Sequence, residues 1–218
     1  FRRPQGRPVS PCPGDPVMVR EETPTVLAVG RLVEKKGFGV LIDAMSVLLH
    51  RGMRARAWIV GDGPERGRLE RRIDELGLGS TVQLLGPVAQ DRLIELFDRA
   101  HLLAQPCIVA ADGDQDGIPT VILEAMAVGL PVVTTPLSGI PEAVQDGATG
   151  LHVPCGDAGA LADAIRRLIA DDALAARLAA EARRAVEERF DLGNSARELV
   201  QLFRWSAHDA WRPPENGS

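Results

Sequence analysis

Residues 25–49 read TVLAVGRLVEKKGFGVLIDAMSVLL and encode a strand, a loop and a helix in direct succession. Thr25 to Val29 form a short apolar run that ends at Gly30, which is typical of a buried strand. From Phe38 to Leu49 the apolar residues recur at helical spacing. A buried strand that leads through a short loop into such a helix is the repeating unit of α/β folds.

The same unit recurs along the rest of the chain. Apolar runs predict five further strands, at residues 55–60, 81–85, 102–105, 130–134 and 150–153. Helices are predicted around Leu69, around Phe97 and from a start near Pro119, and three more after residue 153 around Leu161, Leu174 and Leu199. We therefore predict a Rossmann-like, doubly wound parallel six-stranded sheet with helices on both faces. Such sheets bind ligands beyond the carboxyl ends of the strands, where the strand order reverses.

The composition argues against several classes of protein. The 218 residues include 25 Lys and Arg against 30 Asp and Glu, a net charge of −5, which disfavours a nucleic-acid binder. No apolar run approaches the roughly 20 residues that span a bilayer. Three cysteines, odd in number and far apart, indicate neither a disulfide framework nor a zinc cluster, so we expect a reducing, cytoplasmic compartment. Only two of the basic residues are lysines, the adjacent Lys35 and Lys36.

The chain divides into three segments. Six prolines within residues 1–24 predict an extended lead-in. Residues 25–205 carry the alternating strands and helices and form the predicted domain, and residues 206–218 are expected to be a disordered tail. The first residue is Phe1 rather than Met, so the chain is expected to be a fragment of a longer protein.

The sequence GDGPERG at residues 61–67 superficially resembles a dinucleotide-binding turn. Such a turn binds phosphate through free backbone N–H groups, but Pro64 has none and Glu65 would place a carboxylate against the pyrophosphate. The next strand also ends without the acidic residue that binds a ribose in these proteins. We therefore reject an NAD(P)-linked oxidoreductase and interpret the segment as a tight turn before a well-capped helix.

The sequence DGDQDG at residues 112–117 imitates the start of a calcium-binding loop. That loop needs a glutamate at its twelfth position, where this chain has Leu123, with Glu124 one place late. Pro119 would also begin a helix too early. Calcium is therefore not expected. A divalent ion held with a nucleotide diphosphate and plain solvation of the three aspartates both stay open, and solvation is favoured.

The strongest set of candidate site residues joins the loops that follow the first and fourth predicted strands. The first loop, GRLVEKKG at residues 30–37, brings Arg31 and Lys36 within reach of one anion. Arg suits bidentate phosphate contacts, and Lys acts as a mobile point charge. The second loop leads through Gly117 into the helix that starts near Pro119, whose N-terminus offers N–H groups and a partial positive charge. Together these features predict a diphosphate site.

Two carboxylates complete this set. Glu124 lies little more than a turn inside the helix, and its two oxygens match the two hydroxyl donors of a ribose cis-diol. Asp116, just before the helix, is placed to bind hydroxyls of a sugar beyond the phosphates. The alternative is that Arg31 and Lys36 are solvated surface charges and that Glu124 is an ordinary helix residue. The meeting of both loops at one edge of the sheet makes that the minority interpretation.

These motifs resemble the C-terminal, donor-binding domain of the retaining GT-B glycosyltransferases of family 4. The resemblance covers residues 25–205 and is carried by several motifs in the family's order. They are VGRL through KG at 29–37, VGDGP at 60–64, an acidic-x7-Glu motif that runs into EAMA at 116–127, GLPVV at 129–133, GIPE at 139–142 and DG through GL at 146–151. Residues 1–4, FRRP, also look like the end of the linker between two GT-B domains.

The resemblance implies a role for each candidate residue. Arg31 and Lys36 would bind the donor diphosphate and help the nucleoside diphosphate leave, Glu124 would hold the ribose, and Asp116 would contact the donor sugar. The implied catalytic residues are thus Arg31, Lys36 and Asp116. Further donor-binding residues implied by the family are Gly30, Gly86, Val88, Gly117, Ile118, Pro119, Thr120 and Val121. Family members transfer a sugar, here expected to be a hexosyl unit from a UDP- or GDP-sugar, with retention of configuration and usually without a metal or other cofactor.

The chain departs from the family at two positions. Asp116 stands where the family usually has Glu, a shorter reach that is expected to alter the sugar preference or geometry. Cys107 stands where Ser is common, which we interpret as the exchange of one small residue for another. Lys35 is expected to be solvated, and no chemistry is inferred for Asp112 and Asp114.

The resemblance also implies that half of an enzyme is missing. GT-B catalysis takes place in a cleft between two domains, and the N-terminal domain carries the acceptor site. We therefore expect this chain to bind a nucleotide sugar weakly and to transfer nothing alone. The absent domain is the expected partner, docked on an apolar face of Leu199, Phe203, Trp205 and Trp211, and it would bring any peripheral membrane association. The rival hypothesis is a non-catalytic Rossmann-like interaction or regulatory domain.

Overall fold

The computed structural model describes residues 23–189, which form one parallel six-stranded sheet in the order β3-β2-β1-β4-β5-β6. The strands are β1 (Thr25–Val29), β2 (Arg56–Val60), β3 (Val82–Gly86), β4 (Leu102–Gln105), β5 (Val132–Thr134) and β6 (Leu151–His152). Every neighbouring pair runs parallel, as crossover helices require. The predicted Rossmann-like sheet is confirmed, and its strand order reverses between β1 and β4.

Helices connect the strands and cover both faces of the sheet. They are α1 (Phe38–His50), α2 (Arg66–Glu75), α3 (Gln90–Arg99), α4 (Thr120–Val128), α5 (Ile140–Ala143), α6 (Ala158–Ala170) and α7 (Asp172–Arg189). The sequence pattern did not predict α5, nor the single 3-10 turn at Glu34–Lys36, because segments of three or four residues are too short to show a helical period.

Two apolar cores form because successive strand residues point to opposite faces of the sheet. Val26 and Ala28 of β1 pack with α1, α2 and α6, whereas Leu27 packs with α3, α4 and α5. Helix α7 begins against the first core with Leu174 and reaches the second with Ala182. A strand that is buried on both faces needs apolar residues throughout, which is why the strands read as continuous apolar runs.

The boundaries of β2, β3, β5 and β6 differ from the predicted ones by one or two residues. Strand β5 begins at Val132 rather than at residue 130, because Pro131 has no N–H to donate and enters the ladder only as an acceptor from Leu103. Strand β3 spans 82–86 rather than 81–85, with a register irregularity against β2 at Ile59 and Val60. These shifts leave the positions of the connecting loops unchanged.

Several predictions lie outside the described residues. They concern most of the lead-in, the helix around Leu199, the apolar docking face of Leu199, Phe203, Trp205 and Trp211, and the tail from residue 206. Within residues 23–189, no helix is both long enough and apolar enough to cross a bilayer.

Candidate functional site

The loops that follow β1 and β4 lie side by side at the point where the strand order reverses. The backbone N–H of Ile108 donates to the carbonyl of Lys35 at 2.9 Å. Gly37 packs against Pro106 so closely that an added Cβ would lie 1.8 Å from the Pro106 carbonyl oxygen. Gly37 has a φ of 69°, a left-handed conformation that favours glycine. The 3-10 turn at Glu34–Lys36 is thereby fixed against the end of β4.

Lys36 and Asp116, one from each loop, form an ion pair at the centre of this region. The Nζ atom of Lys36 lies 2.8 Å from Oδ2 of Asp116, and each side chain is only 15% exposed. Partial burial reduces screening by water, so the two charges interact more strongly than an exposed pair. The sequence placed both residues in one site but did not predict that they contact each other.

Lys35 is paired rather than solvated, so the sequence prediction for it is wrong. Its Nζ atom lies 2.8 Å from Oδ2 of Asp114 and 3.6 Å from Oδ1 of Asp116. The hydrogen bond to Asp114 and the charges of Asp116 and Asp114 raise the pKa of Lys35, against the opposing effect of burial. Asp114, to which the sequence assigned no chemistry, is therefore part of the same charge cluster. The alternate spacing of Asp112, Asp114 and Asp116 was the sequence feature that could have indicated this shared cluster.

The buried thiol of Cys107 lies next to Asp116. The Sγ atom of Cys107 is 3.9 Å from Oδ2 of Asp116 and 3.9 Å from Nε2 of Gln105. Burial, with the nearby charge of Asp116, raises the pKa of Cys107 to about 11. The group is therefore a neutral thiol near pH 7 and can donate a weak hydrogen bond to the carboxylate. Cys107 fills a small space in the core, where it is fully buried.

The loop at residues 61–64 packs against the loop that follows β1. Gly30 donates to the carbonyl of Val60, and Leu32 donates to that of Asp62. A Cβ at Gly61 would lie 1.9 Å from the Gly30 oxygen. This close backbone approach explains the glycine, in agreement with the interpretation as a turn rather than a dinucleotide site.

The expectation of a well-capped helix after this turn is wrong at the N-terminus of α2, whereas the C-terminus is capped by backbone N–H groups that donate to Arg72 and Asp74. Glu65 occupies the N-cap position of α2, but its side chain accepts no capping hydrogen bond. The carboxylate of Asp62 accepts from the N–H of the adjacent Gly63 at 2.9 Å.

Arg31 is exposed, and its guanidinium forms no ion pair or hydrogen bond with any of residues 23–189. Its backbone carbonyl accepts from the N–H of Val33, which tightens the loop. Arg31 therefore lies at the correct edge of the sheet with a side chain that is available to an anion.

Helix α4 begins one residue later than predicted. Pro119 is its N-cap residue, with φ −59° and ψ 125°, and Thr120 is the first helical residue. The first turn of a helix leaves its N–H groups without helical partners, which gives the end of α4 a partial positive charge. A Cβ added at Gly117 would meet no described atom within 4 Å, so the space before Ile118 and the helix is open.

Glu124 lies at the rim of a cavity of about 280 Å³ between α3 and α4. The cavity is otherwise mostly apolar, with Val88, Leu93 and Phe97 among its lining residues. Gly86, at the end of β3, has a φ of 72° and accepts a hydrogen bond from the N–H of Gly61. The structure thus brings Val88 and Glu124 to one cavity, although the sequence had placed them at separate parts of the site.

Among the described residues, the three aspartates before α4 are not gathered into one set of metal ligands. Asp112 accepts from the N–H of Asp114 at 2.9 Å, which shapes the loop. Asp114 and Asp116 face the two lysines instead. Among residues 23–189, no group of three or more His, Cys, Asp or Glu side chains is arranged to hold a metal ion.

Comparison with known proteins assigns the chain to a family. The family model described as "Glycosyl transferases group 1" matches residues 16–185. The amylovoran biosynthesis glycosyltransferase AmsK of Erwinia amylovora is 38% identical over 178 residues, which are 82% of this chain and 44% of that protein. A GDP-mannose-dependent alpha-(1-6)-phosphatidylinositol monomannoside mannosyltransferase of Mycobacterium tuberculosis is 34% identical, over 84% of this chain and 48% of that protein.

Among solved structures, Anabaena HepE in complex with UDP and glucose superimposes with a TM-score of 0.74 at 28% identity, over 85% of this chain and 49% of HepE. The chain thus spans about half the length of the relatives that it matches. The structural neighbours are GT-B glycosyltransferases, as the sequence resemblance implied.

Proposed function

The chain belongs to the glycosyl transferases group 1 family, and we propose that it is the donor-binding half of a retaining GT-B glycosyltransferase that transfers a hexosyl unit from a UDP- or GDP-sugar. The observation that carries this proposal is the pairing of Lys36 with Asp116 at the loops around the switch point, just before α4. A cation suited to phosphate, a carboxylate suited to sugar hydroxyls and the N–H groups of a helix end belong to adjoining segments there. A GDP-mannose-dependent relative and a UDP- and glucose-bound neighbour support this class of substrate.

The diphosphate is bound by Arg31, Lys36 and the N-terminus of α4. The guanidinium of Arg31 offers planar N–H donors that suit a bidentate phosphate contact, and the ammonium of Lys36 offers a point charge. When the bond between sugar and phosphate breaks, negative charge grows on the leaving nucleoside diphosphate, and the same groups stabilise it. We propose that these cations and the helix end make a metal ion or another cofactor unnecessary.

The nucleoside occupies the cavity between α3 and α4. Glu124, at the rim, accepts hydrogen bonds from both ribose hydroxyls. The base lies against Val88 and the apolar side chains of α3, beyond the turn at Gly86. Asp116 lies on the other side of the diphosphate, where it binds hydroxyls of the transferred sugar.

Catalysis needs a second domain in this proposal. The chain spans about half of its relatives, and the acceptor site belongs to an N-terminal GT-B domain that docks over the carboxyl edge of the sheet. The chain alone therefore binds nucleotide sugars weakly and transfers nothing. We place the protein in the cytoplasm, with any peripheral attachment to the inner membrane face made by the partner domain, and with no role for nucleic acid.

Isothermal titration of the chain with UDP and GDP tests the proposal. We expect weak binding of one of them, and Lys36→Ala should weaken it by roughly tenfold or more, because a charged hydrogen bond is lost. Arg51→Ala is the control, since Arg51 forms an exposed ion pair with Asp163 at the other end of α1. The absence of heat with every nucleoside diphosphate, on folded protein, would contradict the proposal and favour the interaction domain. Sugar transfer by the chain alone would contradict its proposed inactivity.

A further inference from the structure

Asp116 lies between the ammonium groups of Lys35 and Lys36, and the proposed function assigns a role only to that of Lys36. Oδ2 of Asp116 is 2.8 Å from Nζ of Lys36, whereas Oδ1 is 3.6 Å from Nζ of Lys35. Lys35 also pairs with Asp114 at 2.8 Å. The proposed diphosphate and sugar sites use Lys36 and Asp116 but leave Lys35 and Asp114 unassigned.

We propose that Lys35 is a positioning residue that keeps Asp116 correctly placed for the donor sugar while Lys36 binds the diphosphate. The inference rests on the proposed function, because it concerns the sugar part of the same site. Lys35 acts directly on Oδ1 of Asp116, and Asp114 holds the Lys35 ammonium in place.

The charges explain why a second lysine is needed. A diphosphate that reaches Lys36 competes with Asp116 for the same ammonium group. Asp116 is only 15% exposed, so a carboxylate left there without a cation, and next to phosphate charge, would be destabilised. It would then turn away from the sugar. Lys35 supplies a positive charge that stays next to Asp116 when the phosphate binds Lys36, because the Lys35 ammonium group is held by its ion pair with Asp114.

The loop is built to present Asp114 to Lys35. Asp112 accepts from the N–H of Asp114 at 2.9 Å, and the carbonyl of Asp114 accepts from the N–H of Ala110 at 2.9 Å. The carbonyl of Lys35 is itself fixed by the N–H of Ile108. The three aspartates thus have separate tasks: Asp112 shapes the loop, Asp114 holds Lys35, and Asp116 is shared by both lysines.

The test compares the affinity for a nucleoside diphosphate with that for the matching nucleotide sugar. Titrations of the chain with UDP, UDP-glucose, GDP and GDP-mannose give this ratio for the wild type and for Lys35→Met. We expect Lys35→Met to weaken binding of the nucleotide sugar by about fivefold, the upper range for a partly exposed ion pair. Binding of the nucleoside diphosphate should change by less than about twofold, because Lys36 remains.

Two further variants separate positioning from mere stability of the loop. Lys35→Arg should bind the nucleotide sugar about as tightly as the wild type does, because the positive charge at position 35 remains. Asp114→Asn should lower that affinity in the same direction, and the double variant with Lys35→Met should be no worse than Lys35→Met alone. Arg51→Met, at the distant pair with Asp163, should change neither ligand's affinity.

The outcomes distinguish the two proposals. An equal loss for both ligands, or no loss for either, overturns the role of Lys35 and leaves the donor-binding function intact. Failure of the wild-type chain to bind any nucleoside diphosphate overturns both.

Discussion

Gly37 and Pro106 are in backbone contact where the loop after β1 meets the end of β4, and a methyl group on Gly37 would lie 1.8 Å from the Pro106 oxygen. The contact joins segments that lie 69 residues apart in the chain. It sets the position of Lys35 and Lys36, which directly precede Gly37, relative to the aspartates that follow Pro106. The charge cluster thus depends on one glycine that carries no chemistry itself.

Gly37→Ala is therefore expected to lower the free energy of unfolding by about 3 kcal/mol, because it adds a backbone clash to a left-handed φ. Urea denaturation measures this change. Gly39→Ala is the matched control, because a Cβ at Gly39, in the first turn of α1, meets no described atom within 4 Å. That control should be neutral or stabilising by up to about 1 kcal/mol. Equal stability of the two variants would show that the loops are not held together at Gly37.

Asp116→Asn should increase the affinity for a nucleoside diphosphate. The substitution frees Lys36 from its ion pair and removes a negative charge next to the phosphates. We expect a gain of about two- to fivefold, the usual range for one partly accessible ion pair. Isothermal titration with UDP and GDP measures it, and Asp163→Asn, at the exposed pair with Arg51, is the control. Weaker binding by Asp116→Asn would contradict the idea that Asp116 and phosphate compete for Lys36.

The sequence predicts the sheet well because its parallel strands are buried on both faces and stand out as apolar runs. Strand β1, at Thr25–Val29, and strand β4, at Leu102–Gln105, are bounded as predicted. Their carboxyl ends identify the two site loops without any knowledge of packing. The pairing of Lys35 with Asp114 could not be read in the same way, because the two residues are 79 positions apart and their contact depends on the shape of both loops.

The same limit applies to the nucleoside cavity. Glu124 is a candidate from its place in the helix that starts near Pro119, whereas Val88 is implied only by the family resemblance. Their meeting at one cavity depends on how α3 packs beside α4, which the period of each helix does not specify. Spacing along the chain and the family resemblance therefore predicted the site residues by loop, whereas tertiary packing decides which of them touch.

The stability of the fold should fall at alkaline pH through Cys107. Its pKa is raised from the usual 9.0 to about 11 by burial and by Asp116. The neutral thiol is therefore favoured by folding, and this contribution is complete below pH 9 and lost as the pH rises through 11. The shift corresponds to about 2–3 kcal/mol.

Urea denaturation at pH 8 and at pH 11 tests this dependence, with Cys107→Ser as the comparison. The wild type should lose about 2–3 kcal/mol more than the variant, because a serine hydroxyl does not ionise in this range. The chain contains no tyrosine, two lysines and two other cysteines, so few other side chains titrate here, and the comparison with Cys107→Ser cancels their contribution. An equal loss in both proteins would mean that the thiol ionises without cost in the folded state.

Glu124 should distinguish a ribonucleotide from its deoxy form. If its two oxygens accept from both ribose hydroxyls, the chain should bind UDP or GDP roughly tenfold more tightly than the 2′-deoxy analogue, since one charged hydrogen bond is worth ~1.5–3 kcal/mol. Glu124→Ala should weaken the ribonucleotide and abolish this preference, because neither hydroxyl then has a charged acceptor. Titrations with both nucleotides measure the ratio, and Glu181→Ala on α7, which removes an exposed carboxylate paired with Arg184, serves as the control. A preference for the ribonucleotide that survives Glu124→Ala would place the ribose elsewhere and separate the cavity between α3 and α4 from donor binding.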